Sequence, residues 1–222
     1  MEDGKENRPS WTPMFDRISE DKRQRVLYSA KRAFAEKGFT GANVNDIAKD
    51  AGISVGALYK YFRSKEDIFL TIIRASRELI ERTIDSIIGS RPGFLDRVEA
   101  ILRAAADSSA ADPDIVKIYI ACTTQELSSL SGELATQIES PAALKYRDMI
   151  ASARALGEID PPCDDRAAAF CLDDIFLTLQ FSFGSPYYRR RLEIFLGEEV
   201  AEDRDRLVAS LLDFLRAAFR SA

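Results

Sequence analysis

Residues 25–67 read RVLYSAKRAFAEKGFTGANVNDIAKDAGISVGALYKYFRSKED, and this stretch decides the fold. It contains three short segments with apolar residues at helical spacing, separated by Gly38 and Gly52. Glycine accepts the left-handed backbone conformation that is common just past the end of a helix, so both positions indicate helix ends. Asn43 and Ser54 directly precede the second and third segments, where their side chains can cap a helix. The pattern therefore predicts three short helices, the last two joined by a tight turn.

The third of these helices has one face that must be buried and one that faces outward. Leu58 is predicted to point into the core, which leaves Tyr59 and Lys60 mostly outside. Val55 and Ala57 near the start of the helix are small enough to meet base edges or thymine methyl groups. A short helix of this kind, following another helix after a tight turn, suits the major groove of DNA. We therefore predict a helix-turn-helix DNA-binding unit.

Charge is distributed unevenly along the chain. The whole sequence carries a formal charge of -5, which taken alone argues against a nucleic-acid binder. Between residues 17 and 65, however, eleven lysines and arginines stand against five acidic residues, so this region carries +6 and the remainder -11. A basic end on an acidic body is the asymmetry expected when only one end of a protein meets DNA.

This segment resembles the DNA-binding domain of the TetR family of bacterial transcriptional regulators. The residues that carry the resemblance are Phe34, Gly38, Phe39, Val44, Asp46, Ile47, Ala48, Ala51, Gly52, Ser54, Gly56, Leu58, Tyr59, Tyr61, Phe62, Ser64, Lys65 and Glu66. A looser similarity, GEIDPPCDDRAAAF from Gly157, resembles the turn before the family's penultimate helix. The family usually has Thr where Asn43 stands, and Asn caps a helix equally well. The resemblance implies a homodimeric regulator, most often a repressor, that binds a palindromic operator and is released by a small-molecule effector.

Ten residues are predicted to face the operator DNA. They are Asn43, Asn45, Ser54, Val55, Gly56, Ala57, Tyr59, Lys60, Tyr61 and Lys65. A lysine at the start of a helix lies unfavourably near the positive end of the helix dipole. A nearby phosphate would remove that cost at Lys65, and the resemblance implies this role. We expect Tyr59 to contact phosphate as well.

Beyond the DNA-binding segment the sequence predicts only helices. We expect an all-α fold of about nine helices with three parts: a flexible arm at 1–16, a helix-turn-helix domain at 17–65, and a helical ligand-binding and dimerisation domain at 66–222. A long helix from Ser64 is predicted to connect the last two parts. Ser140-Pro141 either restarts or kinks a later helix, after a loop.

Several classes of site and location are not expected. The chain has no histidine and no CxxC pair, so neither a metal site nor a cofactor is predicted. No apolar run approaches the length that spans a bilayer, and the start of the chain lacks a signal-peptide pattern, so we expect a cytoplasmic protein without a membrane partner. Lys5 and Arg8 in the arm are candidate DNA contacts.

The last two helices indicate self-association. The final one carries a wide apolar face, predicted as the dimer interface and formed by Leu207, Val208, Leu211, Leu212, Leu215 and Phe219. The helix before it is apolar nearly all round, which implies burial on several sides. Two such helices packed against their symmetry mates would form a four-helix bundle, as the resemblance also implies. The alternative is that both helices form the core of a monomer.

Aromatic and polar residues in the second half indicate a small-molecule pocket. The candidates are Tyr119, Cys122, Gln125, Tyr146, Arg147, Phe170, Asp173, Asp174 and Phe176. The aromatic residues are equally consistent with plain core. A buried carboxylate is costly unless it is paired, so Asp173 and Asp174 either meet an arginine such as Arg147 or wait for a cationic or hydroxylated ligand.

Two other functions stay open on the sequence alone. A DNA-binding protein of the same fold that organises the chromosome, with no small-molecule effector, is one alternative. An enzyme is the other, and we do not expect it. Asp173 and Asp174 are adjacent on a helix and point about 100° apart, so they do not form a facing acid-base pair.

Overall fold

The computed structural model describes residues 10–128 and 130–219, and within these ranges it contains helices and no strand. The all-α prediction is confirmed. The elements are α1 Pro13–Asp16, α2 Glu20–Gly41, α3 Val44–Asp50, α4 Val55–Tyr61, α5 Lys65–Ser90, α6 Phe94–Ala111, α7 Pro113–Cys122, a 3₁₀ turn Gln125–Leu127, α8 Ser131–Ala155, α9 Asp165–Gly184, α10 Pro186–Leu196, α11 Glu198–Glu202 and α12 Arg204–Ala218.

Three helices of the described chain were not expected from the sequence: α1, α10 and α11. Both α1 and α10 begin with a proline at the first helical position. Proline there has its backbone angle already set for a helix, and its missing N–H would have no helical partner in any case. Pro186 therefore starts a helix, where the sequence reading had only a break.

Helix α8 continues through Pro141 and begins nine residues before the expected restart at Ser140. Proline has no N–H, so the carbonyl oxygen of Gln137, four residues earlier, loses its helical hydrogen bond. The Nη1 of Arg77 on α5 donates to this carbonyl oxygen at 3.0 Å. The freed acceptor thereby attaches α8 to α5.

Two apolar clusters fill the described part of the molecule. The first, called here the head cluster, is built on α2, α3, α4 and the start of α5, and its fully buried side chains include Ile47, Leu58, Phe62 and Phe69. It also takes in Ile118 and Cys122 of α7, so the apolar core of the DNA-binding segment does not end at residue 65. The second, called the body cluster, joins α6, α8, α9 and α12.

Helix α5 belongs to both clusters. Ile68, Phe69 and Ile73 in its first half pack into the head cluster, and Ile84 in its second half packs into the body cluster. With 26 residues it spans about 39 Å. The helix is continuous, so it is a mechanical link between the two ends of the molecule.

Residues 10–16 are fixed against the head, which corrects the expectation of a flexible arm for this part. Phe15 is buried, and its ring lies 4.7 Å from that of Phe62. Thr12 donates its backbone N–H to the carbonyl oxygen of Tyr61 and its hydroxyl to that of Lys60. The segment thereby binds the carboxyl end of α4. Lys5 and Arg8 lie outside the described residues.

Helix α9 is long and apolar enough to cross a membrane by length and composition, which corrects the expectation that no run approaches this length. Core helices of globular proteins share these properties. Here α9 packs against α6, α7, α8 and α10, so it forms the central helix of the body. Its end approaches α7 closely: a Cβ added at Gly184 would lie 2.6 Å from Cγ1 of Val116, so only glycine fits there.

Candidate DNA-binding and ligand-binding sites

The turn between α3 and α4 is built as the sequence indicates. The side chain of Asn43 accepts a hydrogen bond from the backbone N–H of Asn45 at 2.8 Å, and that of Ser54 accepts one from Ala57 at 3.1 Å. Gly52 has a φ of 68°, the left-handed conformation that favours glycine. These caps fix where both helices begin and therefore how α4 is presented.

Most of the predicted DNA-facing side chains are exposed. The exposed ones are Asn43, Asn45, Ser54, Gly56, Tyr59 and Lys60, and Val55 and Ala57 are half-buried. Tyr59 is notable because a large aromatic side chain with 51% exposure loses apolar contact that the core would supply. Nothing lies within 4 Å of a Cβ added at Gly56, so the packing of the protein does not require glycine there. The outer surface of α4 is thus open to a partner.

Tyr61 is a correction to the predicted interface. It is 5% exposed, and its ring packs 5.8 Å from that of Phe15. Lys22 places its ammonium group 5.6 Å from the same ring. Sequence reasoning missed this because α1 was taken for part of the arm. Thr12-Pro13, a cap and first-turn pair followed by an apolar residue, was the available signal.

Lys65 has partners inside the protein. Its ammonium group donates to the carbonyl oxygens of Thr40 at 3.2 Å and Ala42 at 3.3 Å, and lies 4.8 Å from the centre of the Phe39 ring. These oxygens belong to the carboxyl end of α2, where a cation is favourable. A phosphate is therefore not needed to explain a lysine at this helix start. Lys65 positions the junction of α2, α3 and α5.

The body contains a cavity of about 340 Å³ between α5, α6, α7, α8 and α9. Its walls are mainly aliphatic, from Ile73, Ile80, Ile84, Ile87, Ile101, Ile115, Val116 and Leu177. The volume lies within the range of small-molecule sites in proteins. Ile73 belongs to the head cluster and Ile84 to the body cluster, so the cavity lies at the junction of the two.

Four of the nine predicted ligand-binding residues line this cavity: Tyr119, Tyr146, Asp173 and Phe176. The other five do not. Cys122 is buried in the head cluster, where burial raises the pKa of its thiol to about 12. Gln125 and Asp174 are exposed, Arg147 is half-buried away from the cavity, and Phe170 is 67% exposed. The sequence showed α9 to be apolar all round but not which of its faces meets the cavity.

Glu139 is the main cavity residue that the sequence did not indicate, because the pattern left open whether Ser140-Pro141 restarts a helix or kinks one. The hydroxyl of Tyr119 donates a hydrogen bond to Oε1 of Glu139. Burial, together with the nearby charges of Glu139 and Asp174, raises the pKa of Asp173 to about 6. Burial also raises the pKa of Tyr119 and Tyr146, so both hydroxyls stay neutral. Arg147 forms no ion pair with either aspartate within the described residues.

The predicted dimer stripe is mostly core of the same chain. Leu207, Val208, Leu212, Leu215 and Phe219 are buried in the body cluster, and Leu211 is half-buried. They face α6, to which α12 is also held by an ion pair between Arg204 and Asp107 at 3.0 Å. The large apolar side chains that α9 and α12 leave exposed are Phe170 and Phe214. Any partner of these helices would meet those two first.

Residues 26–72, from α2 through the first third of α5, match the description "Bacterial regulatory proteins, tetR family". The DNA-binding segment is therefore similar to that of the TetR family. The matched segment contains both helices of the helix-turn-helix and the start of the helix that leads to the cavity. Among residues 10–128 and 130–219, no group of three or more metal-ligating side chains is arranged to hold a metal ion.

Two curated relatives are similar to this chain over its first part. An uncharacterized HTH-type transcriptional regulator, YfiR of Bacillus subtilis, is 33% identical over 106 residues, which are 45% of this chain and 52% of YfiR. The HTH-type transcriptional repressor AcnR of Corynebacterium diphtheriae is 42% identical over 53 residues, 24% of this chain and 28% of AcnR. The chain thus matches about half of YfiR and less than a third of AcnR.

A solved structure extends the likeness to the body. The transcriptional regulator FadR from Bacillus subtilis, in complex with stearoyl-CoA, superposes with a TM-score of 0.70 and covers 89% of this chain and 99% of FadR. The sequence identity is 18%, so the comparison shows the fold alone. All three proteins are named as transcriptional regulators, and none is named as an enzyme.

Proposed function

We propose that this protein is a ligand-responsive transcriptional repressor that binds a palindromic operator as a homodimer in the cytoplasm. The observation that carries the proposal is the continuity of α5. One helix, α5, begins four residues after the end of the recognition helix α4 and lines the cavity from Ile73 to Ile87. The relative named as a repressor and the ligand-bound FadR structure support repression and a small-molecule effector.

The proposed DNA surface consists of the exposed residues of α3 and α4. Tyr59 and Lys60 contact the phosphate backbone or base edges, and Gly56 with its half-buried neighbours Val55 and Ala57 comes closest to the groove. Asn43, Asn45 and Ser54 complete the surface at the two helix starts. Tyr61 and Lys65 support it from inside. One such helix contacts few bases, so two-fold symmetry is needed for a specific site.

The proposed dimer uses the outward faces of α9 and α12, with Phe170 and Phe214 at its centre. Exposed phenylalanines at these positions lose burial that a second copy would restore. This replaces the buried stripe that the sequence suggested. Effector in the cavity would change the relative placement of the two recognition helices in such a dimer.

Helix α7 is the proposed path from the cavity to the head. Its first residue follows Asp112, which pairs with Lys31 of α2, and past its end the carboxylate of Glu126 accepts the backbone N–H of Thr40. Between these attachments Ile118 packs into the head cluster while Tyr119 lines the cavity. A ligand that binds one arrangement of α7 more tightly than another shifts the equilibrium toward that arrangement.

The test is genome-wide binding in the source organism, by crosslinking and sequencing the bound DNA, for the wild type and for Tyr59→Ala with Lys60→Ala. We expect a few peaks that share a palindrome, one of them beside the protein's own gene, and their loss in the variant. Many scattered peaks without a palindrome would instead support the chromosome-organising function. Peaks that persist in the variant would remove α4 from the interface.

A further inference from the structure

The cavity between α5 and α9 holds more negative charge than its cations neutralise. Its charged lining residues are Arg77, Glu81, Asp112, Glu139, Lys145 and Asp173. Each cation among them already has a carboxylate partner: Arg77 lies 3.2 Å from Glu81, and Lys145 pairs with Asp85 on α5. Asp112 is paired with Lys31. Glu139 and Asp173 are the two charged lining residues that remain without an oppositely charged partner.

Neither of these two carboxylates meets a cation in the described part of the chain. Glu139 accepts a hydrogen bond from the hydroxyl of Tyr119, and among the described residues Asp173 forms no hydrogen bond or ion pair. Removing a carboxylate from water without a partner is costly. The cost appears in the pKa of Asp173, which burial raises. The cavity thus keeps two acidic groups that no cation of the described residues neutralises.

Aromatic rings surround the same two groups. Tyr119, Tyr146 and Phe176 line the cavity, and the hydroxyls of both tyrosines interact electrostatically with Glu139 and Asp173. Aromatic rings attract cations through their negative faces, and the attraction grows when water is excluded. The remaining walls are aliphatic, from α5, α6 and α7.

We propose that this cavity binds a hydrophobic organic cation, whose ammonium group meets Glu139 and Asp173 among the rings of Tyr119 and Tyr146. The aliphatic walls take the apolar part of the ligand. An anionic head group would instead lie against two unneutralised carboxylates. This inference rests on the proposed function in treating the cavity as the effector site, and it adds the charge and shape class of the effector.

The test measures binding of three matched probes to the full chain by isothermal titration calorimetry. The probes are phenylbutyltrimethylammonium, phenylbutanesulfonate, and the neutral tertiary alcohol in which C(CH3)2OH replaces the N(CH3)3 group. We expect the cation to bind about tenfold or more tightly than the alcohol, and the sulfonate not to bind detectably. Equal binding of the three, preference for the sulfonate, or no binding of any probe would overturn the proposal.

Variants test which carboxylates cause the preference for the cation. Glu139→Gln with Asp173→Asn keeps the shape of both side chains and should remove the preference for the cation. Asp174→Asn, on the same helix but outside the cavity, is the matched control and should keep it. Circular dichroism checks that the variants are folded, and Asp173→Asn alone gives the same comparison should the double variant unfold. A preference that survives loss of both carboxylates would contradict the proposal.

Operator release is measured separately, with the same ammonium probe and with stearoyl-CoA, the ligand in the FadR structure. Release by stearoyl-CoA in the absence of any cation preference would overturn the proposed ligand class and would be consistent with the proposed function as a ligand-responsive repressor. Selective cation binding without any change in operator affinity would support the ligand class and overturn effector-controlled release. The two proposals therefore fail on different measurements.

Discussion

The head cluster and the cavity walls are both made of apolar helices, yet they differ in how closely they are packed and in whether their charged groups are paired. In the head cluster Ile47, Leu58 and Phe62 are completely buried, and the ammonium of Lys65 at its edge, beside Phe39, is matched by carbonyl oxygens. The cavity leaves about 340 Å³ open and keeps Asp173 without a partner. Close packing stabilises the head. The open volume and the unpaired carboxylate of the cavity lower the stability of the fold, and a bound ligand can restore it.

The largest expected effect comes from opening a gap in the head cluster. Leu58→Ala should lower the free energy of unfolding by about 2–5 kcal/mol, because it leaves a void in a closely packed core. Ile80→Ala, at a half-exposed position on the cavity wall, is the matched control and should cost less than about 1 kcal/mol. Denaturant unfolding followed by circular dichroism measures both. Equal losses would show that the cavity walls are as tightly packed as the head.

Asp173→Asn should act in the opposite direction and stabilise the protein by up to about 3 kcal/mol at pH 7.5. The pKa of Asp173 is about 6 in the folded protein, above the usual value near 3.8, so the folded state binds the proton more tightly. The cost of the carboxylate is therefore absent below pH about 4, grows between pH about 4 and 6, and is complete above that.

The check is a series of unfolding curves from pH 4 to pH 8. The difference between Asp173→Asn and the wild type should grow through that window and then level off. The other titratable groups that line the cavity with Asp173 are Glu139, Tyr119, Tyr146, Lys145, Arg77, Glu81 and Asp112. Exposed Asp174→Asn should leave the curve unchanged. A destabilised Asp173→Asn would mean that the carboxylate has a structural partner.

Substitutions at two lysines of the head should have different effects, one on stability and the other on operator binding. Lys65→Ala removes hydrogen bonds to two carbonyl oxygens and should lower the free energy of unfolding by about 1 kcal/mol. Lys60→Ala should leave unfolding unchanged while weakening operator binding and lowering its salt dependence by about one counterion. Fluorescence anisotropy with operator DNA over a range of salt concentrations measures the second effect. An unchanged slope for Lys60→Ala would take that residue out of the phosphate contacts.

A small gain in stability is expected from a substitution at Gly56. Nothing surrounds an added Cβ there, and alanine favours a helix over glycine, so Gly56→Ala should raise the free energy of unfolding by less than about 1 kcal/mol. The same methyl group should weaken operator binding, because it adds bulk on the surface of α4 that is proposed to meet the groove. Gly184→Ala, which would collide with Val116, serves as the contrasting glycine and should destabilise the protein. Unaltered operator affinity in Gly56→Ala would place DNA farther from α4.

Sequence reasoning was most successful from α2 to α5. The caps at Asn43, Ser54 and Ser64 all accept hydrogen bonds from the helices they precede, and Gly38 and Gly52 both adopt positive φ. These features depend on neighbours a few residues away, so a short window contains what decides them. The TetR resemblance was confirmed over the same part of the chain.

It was least successful where distant segments meet. The apolar face of α12 was correctly seen as needing cover, but α6 of the same chain provides that cover, and the predicted interface moved to Phe170 and Phe214. Tyr61 was expected outside because its partner Phe15 lies 46 positions away in the sequence. Glu139 escaped notice because α8 continues through Pro141, with Arg77 satisfying the carbonyl that proline frees.

The sequence by itself determined the helical class, the helix-turn-helix with its caps and turn, the basic head on an acidic body, and the long helix that joins them. Helix periodicity, capping and glycine conformation are local, and charge is counted without coordinates. Only the tertiary structure decided which apolar faces cover each other, where the cavity lies, and that Lys65 is paired while Asp173 is not. Hydrophobic attraction has no direction, so a sequence shows that a face must be buried without showing what buries it.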